Sequence, residues 1–439
     1  MKKQLLTLGL SLLTMCFSFA QTTNKCATMP VYQQHMQNPV AKANFINTEN
    51  AARQWLANPA NKANALKKQN SIITIPVVVH VVYKNAAQNI PDSQIVRQIQ
   101  ILNTCYRLQN ANYPTGRAIF DSIAADVEIQ FCLAATDPSG NPTTGIIRKS
   151  APSSAAFDPL TGFDKVKSSA TDGDDPWPND KYLNIWVCDM SVFGFTFVLG
   201  YATFPGESPA LDGVVIQSEY FGYGNAMAPN NLGRTTVHEV GHYLGMRHIW
   251  ADDDGGSTGM CDSTDFVDDT PNQAAKSQSD CKDTNSCANE APYWGTIDPP
   301  DLVQDYMDYS ADGCMAMFTK GQKARMYSFL NTDPARVAIK TSPAGCNNVG
   351  VKELYANFSD YLFVYPNPVS DNILHINITQ LTPANLKCEI YGSNGQLVKQ
   401  INQLEFQNTV NLSDLSSGMY VVKVFNGELT AIKKITISK

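Results

Sequence analysis

The sequence predicts an α+β body, in which an α/β upper part joins an irregular lower part, followed by a separate all-β sandwich at the C-terminus. Three observations carry that prediction. A run apolar on both faces at 75–83 is followed, after Pro91-Asp92, by Ile95, Ile99, Leu102 and Tyr106 at helical spacing, the strand-then-helix order of an α/β layer. From 252 to 314 periodicity fades while Asp, Gly and Cys accumulate, as in a subdomain held by cross-links or ions instead of a large core. From Phe363 onward short alternating runs are punctuated by Asn394-Gly395 and Asn426-Gly427, both hairpin signals. The 439 residues suffice for about three domains, and 43% hydrophobic against 17% charged residues leaves no case for global disorder.

Taken in order, Lys2 and Lys3, an apolar run over 5–19 and Ser18-Phe19-Ala20 make residues 1–20 a secretory signal. Residues 21–70 are rich in Asn, Gln, Ala and Lys with little periodic apolar pattern, which suits a pro-segment or flexible leader. The main domain is expected over 71–346, with further strands at 127–132, 182–188, 200–204 and 213–217 and a short helix at 320–330. A linker over 347–362 leads to the β domain at 363–439. No later segment approaches the ~18 to 20 apolar residues of a membrane span. The 33 Lys and Arg against 40 Asp and Glu give −7, which argues against nucleic acid or an anionic membrane as the main partner. A monomer is expected.

Of six histidines, three fall within His238-Glu-Val-Gly-His242-Tyr-Leu-Gly245-Met-Arg-His248. Positions i and i+4 share a helix face, so His238 and His242 can aim at one zinc ion, and Gly245 can take the left-handed turn that returns His248 as a third ligand. Three protein ligands leave a position for water, whose proton Glu239 can take and pass to a leaving amine. That chemistry is peptide hydrolysis without an acyl-enzyme. The alternative of another class is a surface binding or adhesion protein with a structural zinc, although structural sites are usually closed by four ligands and favour Cys.

The motif resembles the metzincin metalloproteases. Tyr243 and the downstream Tyr306-Met307-Asp308-Tyr309-Ser310 resemble the pappalysin family in its smaller microbial form. The likeness covers about 71–335, through the strand at 75–83, Gly200-Tyr-Ala-Thr-Phe-Pro205, Asp212-Gly-Val-Val-Ile216 and Asp268-Asp-Thr-Pro271. It implies a metzincin-type catalytic domain, Met307 as the Met-turn, a hydrophobic base beneath the histidines, and Tyr309 near the zinc in a hydrogen bond to the tetrahedral intermediate. It also implies cleavage beside Arg or Lys, with Asp312 as the acidic group of the primed-side pocket.

Eleven cysteines in an exported chain point to disulfides. Cys261, Cys281, Cys287 and Cys314 bracket the irregular subdomain and allow three connectivities; the resemblance implies Cys261 with Cys287 and Cys281 with Cys314. Cys132 and Cys188, in strand candidates, are either buried thiols or a pair. Asp252-Asp-Asp254 and the run 262–269 concentrate oxygen ligands in Gly-containing loops, which with the family's habit suggests calcium; a solvated acidic run is the other reading. Cys26, the one cysteine of the leader, can place a thiolate on the open zinc position, a zymogen switch as in related precursors. Arg53 and Lys67-Lys68 are candidate cut points. His80 reads as a core histidine, and His35 and His375 need no functional role.

Tyr365-Pro-Asn-Pro368, Ile390-Tyr-Gly-Ser-Asn-Gly395 and Leu415-Ser-Ser-Gly-Met-Tyr420 resemble the C-terminal sorting domain of type IX secretion. That implies the type IX machinery as a partner, passage through periplasm and outer membrane, and a secreted or cell-surface product. An accessory β-sandwich that binds carbohydrate or protein is the alternative. Together these features describe a secreted zinc endopeptidase made as a latent precursor, with protein or peptide substrates.

Overall fold

The computed structural model describes residues 24–438 apart from 70, 111, 116, 159–161, 193, 223–228, 252–260, 278–280, 283, 289–292, 348–361, 379–385, 406 and 426–429. The N-terminal segment carries β1 (Asn24–Cys26), α1 (Thr28–His35), α2 (Pro39–Ala57) and α3 (Pro59–Leu66). The upper part of the body follows as β2 (Ile73–Tyr83), α4 (Asp92–Tyr106), α5 (Ala118–Asp121), β3 (Ala124–Ala125), β4 (Ile129–Leu133), β5 (Ile146–Ser150), β6 (Leu183–Cys188), β7 (Val198–Ala202), β8 (Val214–Gln217) and α6 (Arg234–Tyr243). Beyond a largely irregular stretch lie β9 (Phe318–Thr319), α7 (Lys320–Thr332) and α8 (Pro334–Ile339).

Seven strands form one sheet in the order β1-β7-β8-β6-β2-β4, with β5 pairing the far half of β2. The pairs among β8, β6, β2, β4 and β5 are parallel and β7 is antiparallel to β8. A parallel sheet covered on both faces demands near-continuous apolar strands. That is why β6 is buried throughout and β2 over most of its length. His80, buried in β2, is held by Asp174 and Asn184 and stacks on Trp186, so it is a satisfied core histidine.

Four of the expected strands and the helix at 320–330 appear with shifted ends, and the expected strand at 200–204 is β7, displaced toward the N-terminus. Pairing fixes that displacement, because β7 matches β8 through Gly200, Tyr201 and Ala202 while its first residues carry β1 on the other edge.

The N-terminal segment is more ordered than its composition suggests. Asn38 and Asn58 each accept backbone N–H bonds at a helix start and are followed by Pro39 and Pro59, a capping residue plus a proline preset for the first turn. Its helices need few core contacts because α2 lies on α7, where Glu49 receives both terminal nitrogens of Arg325 at 3.0 and 2.9 Å. His35, for which no role was expected, is clamped between Glu207 at 2.6 Å and Asp164 at 2.7 Å.

Burial by itself lowers the His35 pKa, but the bonds to Asp164 and Glu207 outweigh it and raise it from 6.5 to about 9. A group whose bound-state pKa is raised stabilises that state fully below pH ~6.5 and loses its effect as the pH climbs through ~9. The N-terminal segment should therefore loosen over that window, by about 1–2 kcal/mol after solvent screening. Limited proteolysis of the segment against pH should show this trend in the wild type and a flat response in His35→Ala; equal slopes would show that the clamp does not titrate.

Cys261 pairs with Cys287 and Cys281 with Cys314, as the resemblance implied. Cys132 is bonded to Cys346, 214 residues away, and Cys188 is a free buried thiol, so the pairing of those two considered from sequence does not occur. The Cys132 bond ties an outer strand of the sheet to the end of the body. Asp252-Asp-Asp254 lies outside the described residues. In the run 262–269, Asp265 accepts from Val267 N–H and Thr270, Asp269 from Thr319 and Gly321 N–H, and Asp268 pairs with Lys62. These carboxylates serve as internal acceptors, and among the described residues the one cluster of three or more His, Cys, Asp or Glu side chains able to hold a metal ion lies elsewhere.

The C-terminal domain is built from β10 (Leu362–Tyr365), β11 (Ile373–Ile378), β12 (Lys387–Gly392), β13 (Leu397–Ile401), β14 (Gln407–Asn411), β15 (Gly418–Phe425) and β16 (Thr430–Ile437). They form antiparallel sheets β10-β11-β14 and β13-β12-β15-β16 around a core that includes Leu374, Ile376, Ile390 and Val422. The Asn394-Gly395 turn joins β12 to β13, with Gly395 at φ 78°. Asn426-Gly427 lies outside the described residues.

Candidate active site

Helix α6 packs on the face of the sheet beneath β7 and β8 and is buried from Thr235 to its end. Its two histidines lie one turn apart. The helix ends at Tyr243, with Leu244 as its cap, because Gly245 takes φ +92°, and a Cβ there would stand 2.1 Å from the Phe329 ring, so this turn requires glycine. The turn brings His248 back toward the helix. His238 Nδ1 donates to the Tyr306 carbonyl at 2.7 Å and His242 Nδ1 to the Met246 carbonyl at 2.8 Å. With those nitrogens protonated, the Nε2 atoms of neutral rings are bare acceptors.

The three Nε2 atoms lie 3.1, 3.1 and 3.2 Å apart. Bonds of about 2.0–2.1 Å to a tetrahedral zinc require a spacing of about 3.3 Å, so the triangle fits that ion. Burial first, then the other rings, lowers the pKa of His238 and His242 well below 6.5, so protons are not what holds these lone pairs together. The arrangement is repulsive unless a cation sits at its centre.

Cys26 completes the cluster, its Sγ lying 3.4 Å from His242 Nε2 and 3.3 Å from Glu239 Oε2. The four ligand atoms fall within 4.8 Å of one another, and this is the one such metal-capable group among the described residues. Burial, and then the nearby Glu239, pushes the Cys26 thiol well above its usual range. A thiolate at that position therefore needs a bound cation.

Glu239 is fully buried, and burial raises its pKa to about 8. Its Oε2 accepts from Thr28 Oγ1 at 2.9 Å while Oε1 has no partner. Gly200 makes room for it, since a Cβ there would come within 2.9 Å of Glu239 Cγ. Met307 lies under the helix against Gly241, where even a methyl group would approach its sulfur to 2.5 Å. Tyr309 packs by His238 and His248 and donates its hydroxyl to the Cys26 carbonyl at 3.0 Å.

Asp312 is fully buried; Leu232 N–H and Arg234 N–H donate to its Oδ2 at the start of α6, which makes it a helix cap as well as a charge. Its Oδ1 faces the ammonium of Lys25 at 3.3 Å, and Lys25 also donates to the Ser310 carbonyl at 2.9 Å. His238, His242, His248, Glu239, Met307, Tyr309, Asp312 and Cys26, all expected from sequence, are thus gathered here, and the four disulfide cysteines hold the lower loops. Reading the sequence missed three neighbours: Lys25, Thr28 and Trp250, which stacks on His248 with ring centres 4.3 Å apart. For Lys25 a signal existed in its adjacency to Cys26.

The family described as pregnancy-associated plasma protein-A matches residues 167–331, and the secretion system C-terminal sorting domain matches 363–438. An extracellular metalloprotease of Pyricularia oryzae is 32% identical over 60% of this chain and 77% of its own length. Mature mirolysin of Tannerella forsythia in complex with a cleaved peptide is 44% identical, with TM-score 0.54, over 62% of this chain and 97% of that one. A promirolysin mutant from the same organism is 39% identical, with TM-score 0.59, over 72% and 97%. No helix among the described residues is long and apolar enough to cross a membrane.

Proposed function

We propose, from the premise that this chain belongs to the pregnancy-associated plasma protein-A family of metalloendopeptidases and is a zymogen secreted by way of its sorting domain, that His238, His242 and His248 hold a catalytic zinc and Glu239 carries the proton. The observation that carries this reading is the triangle of bare imidazole nitrogens with a buried carboxylate beside it. Zinc bound there supplies Lewis acidity that lowers the pKa of a water toward about 7. Glu239 takes the proton that the attacking water gives up and delivers it to the departing amine nitrogen. Tyr309, whose hydroxyl now grips the Cys26 carbonyl, donates the same way to the carbonyl oxygen of the cleaved peptide.

The leader then works as an inhibitor at three points. Cys26 would supply a fourth ligand to a zinc held there, Thr28 occupies the base, and Lys25 fills the pocket of Asp312. The Lys25 contact supports a preference for Arg or Lys immediately after the cleaved bond, because an ammonium already sits against a buried carboxylate there. If that pocket takes the residue after the cleaved bond, a substrate must run from Gly200 toward Val198, antiparallel to β7. The leader runs parallel to it, with Cys26 opposite Gly200. Its peptide bonds are therefore presented backwards, which accounts for a bound but uncut inhibitor.

We place trimming at Lys67-Lys68, which is exposed and irregular just past α3, in preference to Arg53 in the middle of α2. The domain limits 21–70, 71–346, 347–362 and 363–439 remain our division, and a monomer our reading of its state. Calcium gains no support from the described carboxylates.

The test is hydrolysis by the processed enzyme of peptides with Arg, Lys or Ala after the cleaved bond. Chelation should abolish turnover and zinc restore it. Asp312→Asn should cut the Arg-over-Ala preference in kcat/KM by about a hundredfold, the order expected for losing a buried charge pair. An unchanged preference would remove Asp312 from the pocket. Because Asp312 also caps α6, the variant's zinc content serves as the control for folding.

A further inference from the structure

Among the large apolar side chains left exposed, Phe195 at 55% and Phe197 at 38% stand just before β7, the strand that borders the cleft. They are not frayed. Val192 and Phe195 exchange both backbone hydrogen bonds at 2.9 Å around a turn in which Gly194 takes φ +80°. Phe197 continues directly into β7, which is the edge strand once β1 has left, and residues two apart on an extended chain face the same way. The sheet core does not use these rings, and nothing in the proposed chemistry does either.

We propose that Phe195 and Phe197 form an apolar subsite for the downstream arm of the substrate, selecting aromatic or large aliphatic residues there. The proposal rests on the substrate direction argued above and follows from register. Cys26 lies opposite Gly200 and Asn24 opposite Val198. A substrate entering in the opposite sense puts its first residue after the cleaved bond at the place of Lys25 and its second opposite Val198. Its third then lies opposite Phe197 and its fifth opposite Phe195, on the same face as the first. An added strand takes its affinity from backbone bonds and its selectivity from the pockets met by alternate side chains. The occupant of this patch is thus the peptide that the edge strand already aligns.

The experiment measures kcat/KM of the processed enzyme on peptides with Arg fixed after the cleaved bond and Phe, Leu, Ala or Asp two residues further on. Cleavage positions are confirmed by mass spectrometry. The wild type should favour Phe over Asp by about tenfold, the scale of one well-filled apolar contact. Phe195→Ala/Phe197→Ala should bring that ratio to within about twofold, chiefly by slowing the Phe peptide. No discrimination in the wild type, or an unchanged ratio in the variant, would overturn the subsite. Exchanging the fixed Arg for Ala in the same series tests the Asp312 pocket separately, so failure of one reading is distinguishable from failure of the other.

Discussion

Glu239→Ala should fold, keep its zinc and lose nearly all turnover, with kcat falling about 10³-fold or more, toward the upper end for removal of a general base. The three imidazoles are fixed without it: His238 and His242 are oriented by the Tyr306 and Met246 carbonyls, and His248 by its stack on Trp250. Metal content measured on the purified variant should match the wild type. A variant that cleaves peptides at the wild-type rate would show that another group moves the proton. A variant without zinc would show that the carboxylate helps to hold the metal.

The contrast between this site and its surroundings explains what the sequence could disclose. His238, His242 and His248 are read directly because a helix period and one glycine turn set their relative positions within eleven residues. Met307 and Tyr309 lie far along the chain but in a recognisable run. Lys25 and Asp312 are 287 residues apart and meet only because β1 adds to the edge of β7, a pairing with no periodic signature in three residues. Trp250 gave no signal because stacking on a ligand leaves no spacing rule. The leader helices were missed for a different reason. Their starts are marked by Asn38-Pro39 and Asn58-Pro59, but only Phe45 and Ala52 of α2 and Ala65 of α3 are buried, too few to draw an apolar stripe. The Cys132–Cys346 bond was illegible because connectivity is a property of the folded chain and not of sequence neighbours.

Cys26→Ala should release latency in the unprocessed chain, raising peptidase activity of the full-length protein about a hundredfold and advancing trimming of the leader. A factor of that size corresponds to about 3 kcal/mol of lost closure, reasonable for one metal–thiolate bond exchanged for water. The leader should nevertheless stay docked, because Glu49 on Arg325 and His35 between Asp164 and Glu207 lie away from the metal. Protease resistance of its helices should therefore change little while activity rises, separating loss of the ligand from loss of the leader. Thr28→Val, which frees Glu239 Oε2 but leaves the thiolate, should raise activity much less. A cobalt-substituted precursor supplies a direct readout: the thiolate-to-metal charge-transfer absorption should be present in the wild type and absent in Cys26→Ala. Latency that survives Cys26→Ala would mean that the backward strand excludes substrate unaided. In that case Lys25→Ala, which empties the Asp312 pocket and weakens the strand's seat, should become the activating change.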